Sequence, residues 1–178
     1  MPVALGRAHL EAILRAVVDE LDGDFVVVGG AAAALWLTPR RITNDIDIFP
    51  VAGRGHNQLE LMRLAVRLGL GVEAVNSAAD FFVQRIPGWS EDLEVMLAGR
   101  RGRILRLSAT VFLLSKLERL SETDAADCRA VLALAQAGKA RVDGGRVLAA
   151  LEALPRTEDQ RLRRRRQALR RALVKATG

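Results

Sequence analysis

Cysteine is nearly absent from this chain. Cys128 is the single thiol in 178 residues, which excludes an intramolecular disulfide framework and fits a reducing compartment. Long apolar runs are missing too. Half of the residues are hydrophobic, yet every run breaks well short of the ~20 residues a spanning helix needs, and the opening MPVALGRAHLE carries no signal-peptide pattern. A cytosolic protein with a proper core is expected, long enough for one well-packed domain and a small helical appendage. Lysine is scarce: only Lys116, Lys139 and Lys175 stand among 27 basic residues, so the many arginines are partly a compositional habit. The two histidines, His9 and His56, have no cluster of further ligands nearby and are expected at the surface. Repeats and low-complexity linkers do not occur.

What is present is concentrated in residues 25–49, FVVVGGAAAALWLTPRRITNDIDIF. The apolar run Phe25–Val28 reads as a strand, Gly29-Gly30 as a turn, Ala31–Leu37 as a short helix, and Asp45-Ile46-Asp47-Ile48 as a second strand after a Pro/Arg-rich loop. Side chains two apart share a face of a strand, so Asp45 and Asp47 point one way while the isoleucines enter the core. Paired acids of this kind suit a divalent cation. Magnesium favours carboxylate and phosphate oxygens, and backbone N–H groups at a glycine turn opening a helix suit anionic phosphates. Together these features point to a metal-assisted phosphoryl-group enzyme.

The order GG, spacer, then D-I-D after R-x-T-N (Gly29-Gly30, Arg41-x-Thr43-Asn44, Asp45-Ile46-Asp47) resembles the signature of the polymerase-β-like nucleotidyltransferases, and within them the AbiEii-type toxin branch and its bacterial relatives. The resemblance covers roughly residues 10–137. It implies an α/β (α+β) fold, a mixed sheet flanked by helices with a helical C-terminal part. It also implies transfer of a nucleoside monophosphate from an NTP to an acceptor with release of pyrophosphate. Asp45 and Asp47 would hold Mg2+, and Gly29 and Gly30 would let the backbone approach the triphosphate. In many members of the superfamily a third acid on a neighbouring strand completes the metal set. Glu94 in L-E-V is the best-placed candidate, with Asp92 and Glu73 as rivals.

Elsewhere the periodicity is plain. Leu10, Ile13, Leu14, Val17, Val18 and Leu21 have the spacing of an amphipathic helix that covers the sheet, and Asp22-Gly23-Asp24 is turn chemistry. A second crossover helix is expected over Leu59–Leu70 and a third strand over Gly71–Val75, while Asn76–Gln84 satisfies either pattern and stays open. Leu93–Leu97 and Arg103–Leu107 read as a β-hairpin on the sheet edge.

From Ser108 the chain turns helical. TVFLLSKLERLSETDAADCRAVLAL resembles the family's later pattern, a lysine on one helix and D-x-x-D at the start of the next: Lys116, Asp124 and Asp127. An ammonium inside the apolar run Leu113–Leu117 needs a partner, either an acid or a phosphate. Ser121 and Asp124 form a capping box, which is sufficient to explain Asp124. Asp127 is therefore the better candidate for chemistry, assisting the acceptor while Lys116 contacts phosphates; a structural ion pair between the two is the alternative. Cys128 reads as a small buried hydrophobe.

The formal charge of +6 is unevenly spread. Arg156–Lys175 holds nine basic and two acidic residues, a local +7 that leaves residues 1–154 near −1. Leu162, Leu169 and Leu173 put one aliphatic stripe on this basic helix. The expected organisation is an α/β core over 1–107, a helical part over 108–154 and the basic helix over 155–178. A tRNA or other RNA acceptor could dock on the 156–175 helix, and a cognate antitoxin or partner protein is the other expected contact. Two competing classes stay in view: a nucleotidyltransferase-like binding partner without catalysis, and a basic RNA-binding module whose acids are structural.

Overall fold

The computed structural model describes residues 5–38, 41–52, 54–70, 75–76 and 78–177. The chain divides into two compact units, Met1–Leu107 and Ser108–Gly178.

In the first unit, α1 (Arg7–Glu20) turns Leu10, Leu14, Val17 and Val18 inward, as their three- and four-residue spacing requires. After the turn come β1 (Gly23–Val27), α2 (Gly29–Trp36), β2 (Ile46–Pro50), α3 (Arg54–Arg67), β3 (Val75–Asn76), α4 (Ala78–Val83), β4 (Leu93–Ala98) and β5 (Gly102–Leu107). The segment left open from sequence, 76–84, is thus mostly helix. Residues 71–74 of the expected third strand, Glu73 among them, lie outside the described residues.

The sheet is mixed, in the order β3-β2-β1-β5-β4. β1 runs antiparallel to β2 and parallel to β5, β2 and β3 are parallel, and β4 and β5 form the antiparallel hairpin expected from their alternation. Only β4 of that hairpin is an edge, because β5 pairs with β1. Alternation assigns the faces. Phe25, Val27, Ile46, Ile48 and Ile104 join the cluster built by α1, α2 and α3, while Val26, Phe49 and Asp47 belong to the opposite face, where Trp89 meets Phe49 edge-on with centroids 5.8 Å apart.

The second unit is four helices: α5 (Ala109–Lys116), α6 (Glu122–Gln136), α7 (Gly144–Ala153) and α8 (Gln160–Thr177). Each begins at a side chain that accepts an otherwise orphaned backbone N–H. Ser108 accepts from Val111, Ser121 from Asp124, Asp143 from Arg146, and Asp159 from Arg161 and Leu162. The basic helix α8 packs against α6 and α7, burying Leu169 and Leu173. It belongs to this unit and is not a free arm.

Candidate active site at the glycine turn

The site is built where β1 ends and α2 begins. Val28, the N-cap of α2, is extended, and Gly29 turns the chain at φ +62°, a left-handed conformation that glycine adopts without the Cβ penalty. The turn is tied to β2 by a hydrogen bond from Val28 N–H to the Asp47 carbonyl at 2.9 Å. A Cβ on Gly29 would fall inside the contact shell of Asp47 Oδ2, and one on Gly30 would lie 2.8 Å from Thr43 Oγ1. The two glycines are therefore a steric requirement. They let the N-terminus of α2 come flush against the carboxylate of Asp47 and the hydroxyl of Thr43.

The acids themselves are placed differently from each other. Asp47 sits inside β2 between buried Ile46 and Ile48 and is half-buried. Asp45 stands one residue before the strand begins, so strand alternation alone does not orient it. Its carboxylate accepts from Thr43 Oγ1 at Oδ1, 3.0 Å, and the same hydroxyl lies 3.1 Å from the Asp45 carbonyl. Thr43 is 8 % exposed and is held by a bridge to Leu5, with Leu5 N–H to Thr43 O at 2.7 Å and Thr43 N–H to Leu5 O at 3.1 Å. Thr43 was visible only as a letter of the R-x-T-N motif. Its partnership with Asp45 could not be read from spacing.

The register takes Glu94 away from the two acids, while Glu73 lies outside the described residues. Glu94 pairs with Arg106 across the hairpin, Arg106 with Val27, and Val27 with Ile48. Directly opposed residues share a face, so Glu94 lies on the side of Ile48, with two strands between its own and β2, and faces opposite to Asp47. There its carboxylate is paired with Arg106, whose guanidinium carbon lies 3.8 Å from the Trp36 ring centroid. Burial lowers the Arg106 pKa, against the pull of Glu94. Asp92 is exposed in the turn before β4. The neighbour of Asp47 on β3 is Asn76, which supplies no charge. Among the described residues no three His, Cys, Asp or Glu side chains form a ready metal cage.

Lys116, Asp124 and Asp127 come together in the second unit, deeply buried at 6, 1 and 3 % exposure. Lys116 Nζ lies 3.1 Å from Asp124 Oδ1 and 3.6 Å from Asp127 Oδ2. Asp124 also takes a two-pronged contact from Arg119, at 2.8 and 2.9 Å, and closes the capping box with Ser121 Oγ at 2.7 Å and Ser121 N–H at 3.1 Å. Burial alone would raise the Asp124 pKa; Arg119, Ser121 and Lys116 outweigh it and hold the carboxyl well below its usual range. In this geometry Lys116 and Asp127 belong to an internal ion cluster, the structural alternative to their catalytic reading. Cys128 beside it is fully buried, its thiol pushed up to about 12, chiefly by burial.

His9 is exposed, as expected. His56 falls inside α3 and not in a loop, and its side chain lies outside those described.

With a helix-opening glycine turn against a strand-borne acid, and a second acid two residues before it, the first unit defines a nucleotidyltransferase-like α/β protein. The chain belongs to the family described as nucleotidyltransferase of unknown function (DUF6036), which it matches over residues 8–143. Comparison with curated proteins and with solved structures yields no match. Among the described residues no helix is long and apolar enough to cross a membrane.

Proposed function

We propose that the protein transfers a nucleoside monophosphate from an NTP to an acceptor at the glycine turn, with Asp45 and Asp47 as the acids of the site. The observation that carries this reading is the contact of the Gly29–Gly30 turn with Asp47 and Thr43, which brings a helix N-terminus and two carboxylates to one place. The donor set fits Mg2+, which is commonly held by one or two carboxylates plus substrate phosphates. Held by Asp45 and Asp47, such an ion would supply positive charge against the charge that develops during transfer. The chain's own part is positional. Gly29 and Gly30 let N–H groups at the start of α2 reach the triphosphate, and the bridge to Leu5 with the Thr43 hydroxyl fixes Asp45.

The test is transfer of label from each α-labelled NTP to whole-cell RNA, protein and small molecules, run with wild type and with Asp47→Asn. The variant should lose about a thousandfold in rate, roughly 4 kcal/mol of barrier at 1.36 kcal/mol per decade, with its melting temperature unchanged or raised, since like charges no longer repel. Full activity in Asp45→Asn/Asp47→Asn would sink the assignment.

RNA is the acceptor we favour; a toxin role, with a cognate antitoxin as partner, belongs to the same finer reading. On α8 the residues Arg161, Arg164, Arg171 and Lys175 are exposed, and at 3.6 residues per turn they fall in one sector of about 80°, opposite buried Leu173. Such a stripe binds phosphates without reading sequence and weakens steeply as salt rises. Deleting α8 would uncover Leu169 and Leu173 on their neighbours, so the informative variant replaces the four cations with Gln. It should bind tRNA more weakly and with a shallower salt slope. An unchanged slope would move the acceptor toward proteins or small molecules.

A further inference from the structure

Asp45 lies outside the strand that fixes Asp47, and something else must therefore hold its carboxylate in register with the rest of the site. We infer that Thr43 does this. It is a positioning residue whose hydroxyl sets the orientation of the Asp45 carboxylate and so the affinity of the acid pair for a divalent cation. The inference rests on the reading of Asp45 and Asp47 as a cation site.

Four observations converge on it. The Thr43 hydroxyl is 3.0 Å from Asp45 Oδ1 and 3.1 Å from the Asp45 carbonyl. One proton serves both, so the side chain and backbone of Asp45 are pinned from the same point. The Thr43 backbone is itself clamped by the paired hydrogen bonds to Leu5, which leaves the loop little freedom to slide along β2. Its β-branched side chain has few rotamers to choose from. Finally, Gly30 makes room for the hydroxyl: a Cβ there would approach Oγ1 to 2.8 Å. It is the oxygen of Thr43, nearer than its Cβ, that the missing side chain of Gly30 accommodates.

The chemistry follows from which oxygen is taken. A hydroxyl donating to Oδ1 restricts rotation about the Cβ–Cγ bond and leaves Oδ2 as the oxygen available to a cation. Partners of this outer kind typically change metal affinity or activity by roughly 10–100-fold when removed. Serine keeps the donor; valine keeps the shape and loses it.

The experiment is a Mn2+ titration followed by electron paramagnetic resonance, without nucleotide, on the full chain and on Thr43→Val, Thr43→Ser and Asp45→Asn, with the melting temperature of each recorded. Thr43→Val should weaken Mn2+ binding about tenfold at a melting temperature close to wild type, Thr43→Ser should stay within about twofold, and Asp45→Asn should bind worst. Thr43→Ala, which can introduce no clash, replaces the valine variant should that fail to fold. Wild-type affinity in Thr43→Val or Thr43→Ala overturns the inference while leaving the site reading intact. A serine variant as weak as valine also overturns it, because the hydroxyl would then not be the working group. Equal Mn2+ binding and equal label transfer in wild type and Asp45→Asn would instead bring down the site reading itself.

Discussion

Two acid pairs, one in each unit, make opposite use of the same side chain. Asp124 and Asp127 are deeply buried and answer to Lys116, with Arg119 and Ser121 completing the shell of Asp124. Asp45 and Asp47 are only half-buried; Asp45 accepts from the Thr43 hydroxyl, and the Gly29 turn lies against the carboxylate of Asp47. A buried carboxylate without a cation is costly, so the second unit carries its own counter-charges. The first pair stays within reach of solvent, where a cation can arrive with its substrate. Placement, more than residue type, separates the acids of the buried ion cluster from those of the proposed cation site.

Removing Lys116 is the sharpest way to break this contrast. Lys116→Ala leaves two buried carboxylates facing each other and should cost about 3–5 kcal/mol of stability, read by thermal or urea unfolding. A variant that melted like wild type but lost label transfer would return Lys116 to the chemistry.

Gly29→Ala probes the other pair. It forces an alanine to φ +62° and presses a methyl on Asp47, so roughly 1–3 kcal/mol should be lost, and transfer should fall further than stability alone explains. Arg119→Ala should be milder, at about 1 kcal/mol, since its side chain is 76 % exposed and solvent screens the pair.

The smallest effect is in acid. The Asp124 pKa is held below its ordinary 3.8, so its stabilisation is complete above that value and drains away as pH falls through and below it. Melting temperatures taken from about pH 6 to pH 3 should show this loss in wild type and a flatter limb in Asp124→Asn.

Much of the fold was legible because it is written in short-range pattern. The inward stripe of α1, the Ser121 capping box and the β4–β5 hairpin each depend on neighbours a few residues apart. The glycine turn and the two acids were legible for the same reason. Register was not. The position of Glu94 is decided by β5 slotting between β4 and β1, a pairing between residues about 80 apart in sequence, and nothing local announces it. The end of β2 was also missed by one residue, and that residue is Asp45. The capping role of Asp124 was legible in S-x-x-D, but not that the same carboxylate also anchors an ion cluster with Lys116 and Arg119. Residue 76 shows a gain from the structure alone: the register pairs Asp47 with Asn76.

The arginine of α8 that faces inward alters what the outward ones can do. Arg165 Nε reaches the Leu120 carbonyl at 2.7 Å, at a turn where Leu120 takes φ +35°, an uncommon conformation for a residue with a side chain. Arg166 likewise holds the Pro155 carbonyl, and Arg163 that of Thr157, at 2.7 and 2.9 Å. Peeling the helix away would release all three carbonyls and the strained turn at once. Arg161 to Lys175 therefore behave as marks on a stiff ruler about 21 Å long, at 1.5 Å per residue. A tethered, flexible basic tail would mould itself to any polyanion. On the proposed RNA-binding reading, a ruler would select one whose phosphates already lie at matching intervals.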